Sequence, residues 1–359
     1  MKFNDKQFSV YNGKNLRVEI FGASHAPEIG VKVNGFDGES ADFEILQKFM
    51  DRRRAKKTAY STKRLEGDKV IVESGFSDNV FKGEFKAVIK NSEQRSVDYA
   101  NTVKTPRPSH ADFVAWSKYG DGFDYRGGGK FSGRLTAPMC IAGGIAKQIL
   151  EKKGIKITAY IAQIGGVKGK SYKDLNADIT LPDMDEDFPL LDQSVKDKMM
   201  QEIEDARSSC DSVGGVIECV ITGLPVGTGE YMFDSLESII SHLVFAVPAV
   251  KGIEFGTGFS LAGMRGSVAN DPFYYDGERV KTKTNNNGGI NGGMANGMPV
   301  TFRVVIKPTP SISIEQDTID MVGKKNAKLK IEGRHDACIT PRAVPVIEAI
   351  SAIAVYDSL

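Results

Sequence analysis

The chain has 359 residues, of which 41% are apolar and 26% charged, with a formal net charge of +1. Such a composition is ordinary for a folded, water-soluble chain. It excludes a global electrostatic case for nucleic-acid or membrane-surface binding, so any charge specialisation has to be local.

Four dispersed cysteines, Cys140, Cys210, Cys219 and Cys338, have neither metal-site spacing nor the density of a disulfide framework. The amino-terminal MKFNDKQFSVYNGK lacks the apolar core of a secretory signal. No apolar run approaches the roughly 18 residues of a membrane span. The expected compartment is the cytoplasm, with reduced thiols.

Residues 15–21 (NLRVEIF) alternate and read as a strand that ends in GASHAPEIG, and a second strand-like piece, VKVNGF, follows. Ser24 and His25 therefore fall on a connection between two strands, where working residues are often carried. Residue type alone leaves His25 open as a turn residue or a proton-transfer group. Residues 41–54 (ADFEILQKFMDRRR) have helical spacing at Phe43, Leu46, Phe49 and Met50, with Asp42 near the start. The closing arginines suit a helix carboxyl end, a phosphate pocket or a nucleic-acid patch. Residues 69–74 and 85–90 (KVIVES, FKAVIK) read as short strands joined by residues 75–83.

Residues 107–136, RPSHADFVAWSKYGDGFDYRGGGKFSGRLT, gather Arg107, Arg126, Arg134, Lys130 and His110 around a triple glycine. Bare glycine backbone lets main-chain N–H groups approach an anion, and arginine presents a planar fork to phosphate or carboxylate. The helix expected after Thr136 has early turns that can face the same anion. A solvated glycine loop before a core helix fits the same residues.

Beyond it, residues 155–164 read as an alternating strand pair and 171–188 as a peripheral acidic insertion. Residues 190–207 read as a charged helix and 210–221 as a glycine-hinged strand. A buried helix spans 236–246, with His242 structural. Residues 284–299 (TNNNGGINGGMANGMP) are too glycine-rich for regular structure and suit a loop over a planar or phosphorylated ligand. VTFRVVIK then leads into KPTPSIS, which offers Lys307, Thr309 and Ser311. Near the end, Arg334, His335 and Asp336 precede an apolar helix expected to begin near Val344. The simplest account is one continuous α+β domain over residues 1–359.

Together the stretches FGASHAPEIG, DRRR, EQRSVDY with RPSHAD, DYRGGGKFSGRLTA, DSVGG, PAVKGIEFGTGF, NNNGGINGGMANGMP with FRVVIKPTPSI, and GRHDACITPRAVPVIEA resemble the chorismate synthase family along nearly the whole chain. That resemblance implies a β-α-β sandwich, a helical layer between two antiparallel sheets, usually as a homotetramer. It implies anti elimination of phosphate from a small-molecule substrate, 5-enolpyruvylshikimate 3-phosphate, to give chorismate. It implies reduced FMN as cofactor, with NADPH or an external flavin reductase as the source of reduction.

Carried over by position, His25 matches the acid at the leaving phosphate and His110 the histidine that meets the reduced flavin. Asp336 matches the carboxylate near flavin N5 that assists removal of the substrate's C6 proton. Ser24, Arg53, Arg107 and Arg134 match substrate-pocket residues. Lys130, Ser132, Ala249, Gly292, Lys307, Thr309, Ser311 and Arg334 match flavin positions, and no metal is implied. The chain departs from the family pattern at Ala23, Ala26, Ala55, Lys56 and Ala59, and in the glycine loop at Lys130, Phe131, Gly133 and Leu135.

The residue chemistry agrees: a trianionic substrate calls for several cations, and an anionic pocket raises a histidine's pKa, keeping it an acid near neutrality. Two rival readings stand beside this one: a flavin- or phospho-ligand-binding relative without catalysis, and a nucleic-acid binder using RRRAKK and the RGGGK loop.

Overall fold

The computed structural model describes residues 8–55, 66–92, 104–120, 124, 126–175, 181, 184–331 and 336–359. The first sheet comprises β1 (Phe8–Asn12), β2 (Arg17–Gly22), β3 (Glu28–Asn34), β4 (Ile71–Ser77) and β5 (Val80–Lys90), with helix α1 (Phe43–Arg53) between β3 and β4. Its order is β1-β2-β3-β5-β4 and each pairing is antiparallel. Alternation sends Ile29, Val31 and Val33 of β3 into the core. Strands β4 and β5 run further than the sequence suggested. They pass through Gly75 and Gly83 and meet at Asp78 and Asn79, both at positive φ, the turn geometry that matches strand twist. Gly75 reads as a breaker in sequence; here it sits at a register irregularity within the strand pair.

Helices α2 (Asp112–Tyr119) and α3 (Thr136–Lys152) lead to the second half. There β6 (Lys156–Ile164), β7 (Val167–Lys168), α4 (Lys196–Ser208), β8 (Gly215–Thr222), α5 (Leu236–Val244), β9 (Val250–Phe255) and α6 (Gly266–Ala269) follow in turn. Short hairpins β10 (Phe273–Asp276) with β11 (Arg279–Thr282), and β12 (Ile290–Asn291) with β13 (Met294–Ala295), precede β14 (Val300–Ile306). A last hairpin, β15 (Gln316–Asp320) with β16 (Lys325–Leu329), comes before α7 (Thr340–Asp357). The second sheet is antiparallel in the order β7-β6-β8-β14-β9. Residues 155–164 thus form one long strand with a two-residue partner, not the strand pair expected.

Helix α3 packs on β2, β3 and β5 of the first sheet and on β6 of the second, while α7 packs on β6, β8, α1 and α5. The expected sandwich, helices between two antiparallel sheets, is the observed one. Helix α7 is buried almost all round, as its continuous apolar sequence requires. Gly143 makes the α3–α7 contact possible, since a Cβ there would stand 2.3 Å from the Ala349 carbonyl oxygen. Cys140 of α3 and Cys219 of β8 are buried free thiols, as their apolar surroundings suggested. In the described part of the acidic insertion Tyr172, Leu175, Leu181 and Met184 pack with Tyr160 and Val220 of the second sheet in a small cluster of their own. Among the described residues no helix is long and apolar enough to cross a membrane.

Two buried carboxylates tie the layers together. Glu348 accepts both Nη atoms of Arg52 at 2.8 and 2.9 Å and the Ala159 N–H at 3.2 Å, joining α7, α1 and β6. Asp357 accepts the N–H groups of Lys14, Asn15 and Leu16 and the Tyr11 hydroxyl at 2.7–3.1 Å. Asp357→Ala should leave those donors unmatched and cost about 1–3 kcal/mol, read as a lower urea midpoint. An unchanged midpoint would show that the β1–β2 turn does not depend on α7.

Candidate active site

A cavity of about 640 Å³ opens between the β2–β3 turn, the loop before α3, the segment between α5 and β9, the stretch after β14 and the start of α7. That size suits a small organic ligand. Ser24 and His25 lie on the β2–β3 turn, and the glycine loop folds directly onto them. The Ser24 N–H donates to the Gly129 carbonyl at 3.1 Å. Gly127 has φ 58°, and a Cβ on it would stand 2.3 Å from the His25 ring. Only glycine meets both demands, so the triple glycine holds His25 in place. His110 lies on the other side of the same loop, where a Cβ on Gly128 would be 3.4 Å from its Nε2.

Arg107 and His110 share one carboxylate. Arg107 donates from Nε and Nη2 to Asp112 at 2.7 and 2.8 Å and from Nη1 to Ser311 Oγ at 3.2 Å. His110 Nδ1 lies 2.7 Å from Asp112 Oδ1. Asp112 opens α2, a helix the sequence reading missed because DFVAWSKY is short and ends in glycine.

Arg53 and Arg134 share a second carboxylate, Asp68, itself 2% exposed. Arg53 donates Nη1 to Asp68 at 2.8 Å, Nε to Thr136 Oγ1 at 2.7 Å and Nη2 to the Gly133 carbonyl at 3.0 Å. Arg134 donates Nη1 to the other Asp68 oxygen and Nε to Asn91 at 3.0 Å. Arg134 Nη2 is buried with no protein partner among the described residues. Asp336 is met by Arg342 Nη1 at 2.5 Å, and Arg342 Nε donates to the Arg53 carbonyl at 3.1 Å.

Arg52 and Arg53 at the end of α1 are therefore paired and largely buried rather than solvated, while Arg54 stays more exposed. Arg52 goes to Glu348, Arg53 to Asp68 and Arg54 to Asp51. The basic residues 56 and 57 beyond it, and Ala59, lie outside the described residues.

Charge and burial set the protonation states. Burial is the largest influence on Arg53 and pulls its pKa from 12.5 to about 10; Asp68 opposes that fall, while Arg342 and Arg134 add to it. Burial also lowers Lys130 and Lys307, the latter with help from Lys251. His110 is lowered below 6.5, chiefly by burial and further by Arg107 and Lys307, against the hydrogen bond to Asp112. The raised histidine pKa expected from the sequence presupposed an anionic guest; without one, burial is the main cause of the lowering at His110.

His25, His110 and Asp336 all line the cavity, together with Ser24, Arg53, Arg107, Arg134, Lys130, Ser132, Ala249, Lys307, Thr309 and Ser311. Gly292 is not among them. It lies in the β12–β13 hairpin, whose flanking asparagines are committed elsewhere: Asp271 accepts the N–H groups of Asn286 and Asn287 at 2.8 and 2.9 Å. The asparagine–glycine stretch thus does not cover the cavity of its own chain. Arg334 lies outside the described residues.

Sequence reasoning missed Asp68, Asp112 and Arg342, the partners that hold the predicted cations and carboxylate. Their positions inside EGDKV, RPSHAD and TPRAVP, beside residues already singled out, were the available signal. A larger hollow of about 1060 Å³ lies against Tyr11, the 225–234 loop and His242, and none of the predicted site residues enters it. His242 packs edge-on to Tyr11 there, with ring centroids 5.6 Å apart.

Fold and cavity define an α+β sandwich protein with one cavity lined by several cations, Arg53, Arg107, Arg134, Lys130 and Lys307 among them. The particular family comes from comparison. The chorismate synthase family model matches residues 16–359. A chorismate synthase of Dehalococcoides mccartyi is 41% identical over 96% of this chain and 95% of its own length. That of Thermococcus kodakarensis is 41% identical over 97% and 96%, respectively. A solved chorismate synthase structure superposes with a TM-score of 0.69 at 20% identity, covering 97% of this chain and 92% of that one, which speaks for the fold. The chain belongs to the chorismate synthase family.

Proposed function

We propose that this chain forms chorismate by anti-1,4-elimination of phosphate from 5-enolpyruvylshikimate 3-phosphate, a lyase step of the shikimate pathway, with reduced FMN held in the same cavity. The observation that carries the reading is the convergence of His25, His110 and Asp336, distant in sequence, on one cavity whose walls carry Arg53, Arg107, Arg134, Lys130 and Lys307.

The cavity fits a flavin mononucleotide. Thr309 Oγ1 is a buried polar atom without a protein partner among the described residues. Phe245, Val247 and Ala249 give an apolar wall, and two lysines stand nearby for a phosphate. In this reading Lys130, Ser132, Ala249, Lys307, Thr309 and Ser311 hold the flavin, joined by Arg334. Gly292 lies outside its own chain's cavity, so its flavin contact requires a neighbouring copy, in keeping with a homotetramer. The reduced flavin supplies the electron-rich partner that breaking an unactivated C–H bond requires.

The chain's own residues do the rest. Arg134, with one donor uncommitted, takes an anionic group of the substrate, with Ser24 beside it. Arg53 and Arg107 act mainly as buried positive charge, because their donors already serve Asp68 and Asp112. That fixed charge favours phosphate leaving from carbon, and His25 donates a proton or hydrogen bond to the departing oxygen. Asp336, oriented by Arg342, stands ready to receive the C6 proton. Catalysis in the cytoplasm, with flavin reduced by NADPH or an external reductase, completes the proposal.

The test is an anaerobic assay with chemically reduced FMN, with and without NADPH. Chorismate and inorganic phosphate should appear in equal amounts. Tight FMN binding with no chorismate would replace this reading with that of a non-catalytic relative.

A further inference from the structure

Asp112 has no assigned role in the reaction, yet four donors converge on it. Its Oδ2 accepts the Arg107 backbone N–H at 3.1 Å and Arg107 Nε at 2.7 Å. Its Oδ1 accepts Arg107 Nη2 at 2.8 Å and lies 2.7 Å from His110 Nδ1. Burial alone would raise this carboxyl's pKa, but the hydrogen bonds from Arg107 and His110 outweigh it and hold the group well below the usual carboxylate range. Asp112 is therefore an anion at any working pH, and an ionised carboxylate only accepts hydrogen bonds.

We propose that Asp112 is a positioning residue that fixes neutral His110 as its Nδ1–H tautomer, so that the unprotonated Nε2 is the atom offered to the cavity. Which imidazole nitrogen carries the hydrogen is set by the bond the other one makes. Nδ1 lies 3.0 Å from the donor Arg107 Nη2 but 2.7 Å from the acceptor Asp112 Oδ1. Since Arg107 Nη2 already donates to that oxygen at 2.8 Å, the shorter contact, between nitrogen and an ionised carboxylate, is the one that needs the ring hydrogen. Gly128 carries no side chain beside Nε2, where a Cβ would stand 3.4 Å away, and the ring lines the cavity. The other charged groups acting on the ring, Arg107 and Lys307, are cations that disfavour a second proton. Lys307 is itself held by donation to the Ser109 carbonyl at 2.6 Å. His110 thus waits as an acceptor and gains a proton only when an anionic guest offsets those cations. The consequence for rate rests on the proposed reaction; the tautomer does not.

The asymmetry of the Asp112 contacts makes a sharp test. In Asp112→Asn the amide NH₂ cannot sit at the Oδ2 position, where it would face two Arg107 donors that cannot change form. At the Oδ1 position it opposes only one, Arg107 Nη2, so it takes that position and donates to His110 Nδ1, which drives the ring to the Nε2–H tautomer.

The experiment is a long-range ¹H–¹⁵N spectrum of the full chain with ¹⁵N-histidine, recorded above pH 8, with His110 assigned by loss of its signal in His110→Gln. Wild type should show hydrogen on Nδ1, and Asp112→Asn should show it on Nε2. The variant's kcat should fall by about 10²-fold, as for a lost acid–base function, with a much smaller change in FMN affinity. Hydrogen on Nε2 in wild type overturns the proposal even if the variant does not fold. A folded Asp112→Asn that keeps the wild-type tautomer overturns it as well. A wild type with the Nδ1–H form but no chorismate formation would sink the proposed reaction while supporting the tautomer.

Discussion

Asp68→Ala is expected to cost about 3–5 kcal/mol of stability, the usual penalty for stripping a buried ion pair of one partner. Two guanidinium groups, Arg53 and Arg134, are 4% and 8% exposed and lean on opposite oxygens of this one carboxylate. Burial already depresses Arg53 to about 10 despite Asp68, so removing the anion leaves two desolvated cations facing each other. Where the variant is folded, Arg134 loses the contact that aims its remaining donor. Substrate KM should then rise by about tenfold or more, equivalent to about 1.4 kcal/mol. Urea unfolding and steady-state kinetics read the two effects. A stability loss under about 1 kcal/mol would show that the arginines find other partners.

His110→Ala should slow turnover by about 10²-fold or more, as for a lost acid–base group, while FMN still binds through the other lining residues. The wild-type ring has its pKa lowered below 6.5 by burial and by Arg107 and Lys307, so it is neutral at pH 7 without a guest. A trianionic ligand opposes those cations, so binding should be accompanied by proton uptake near pH 6.5, seen as a buffer-dependent enthalpy in calorimetry and absent from His110→Ala. The sign for folding follows from the same shift. Between the lowered folded value and 6.5 the unfolded chain holds more protons at this site. The His110 contribution to stability therefore declines as the pH falls through that window. Ligand binding with no proton uptake would remove His110 as the responsive group.

Much of this architecture is legible in residues 15–54, because alternation in RVEIF and helical spacing at Leu46, Phe49 and Met50 each report one buried face. The His25 turn and the glycine loop were also visible, since Gly127 is bare for a reason that residue type announces. The pairings were not. Arg52 meets Glu348 almost three hundred positions away, and Arg134 meets Asp68 across sixty-six. No local pattern carries such distances. Residues 284–299 are legible only in part for a related reason. Their asparagines look free in sequence, but Asp271, some fifteen residues upstream, engages Asn286 and Asn287, together with Thr284 at 2.6 Å. Cationic stretches thus pointed to residues that line one cavity, while the carboxylates that decide which cations remain available emerged only with the fold.

The most direct measurement is a crystal structure of the protein with oxidised FMN and 5-enolpyruvylshikimate 3-phosphate. Both molecules should lie in the 640 Å³ cavity, with an anionic group of the substrate on Arg134 Nη2, the phosphate toward His25, and the flavin ring between His110 and Asp336. Density for either ligand elsewhere, with this cavity holding only solvent, would contradict the account.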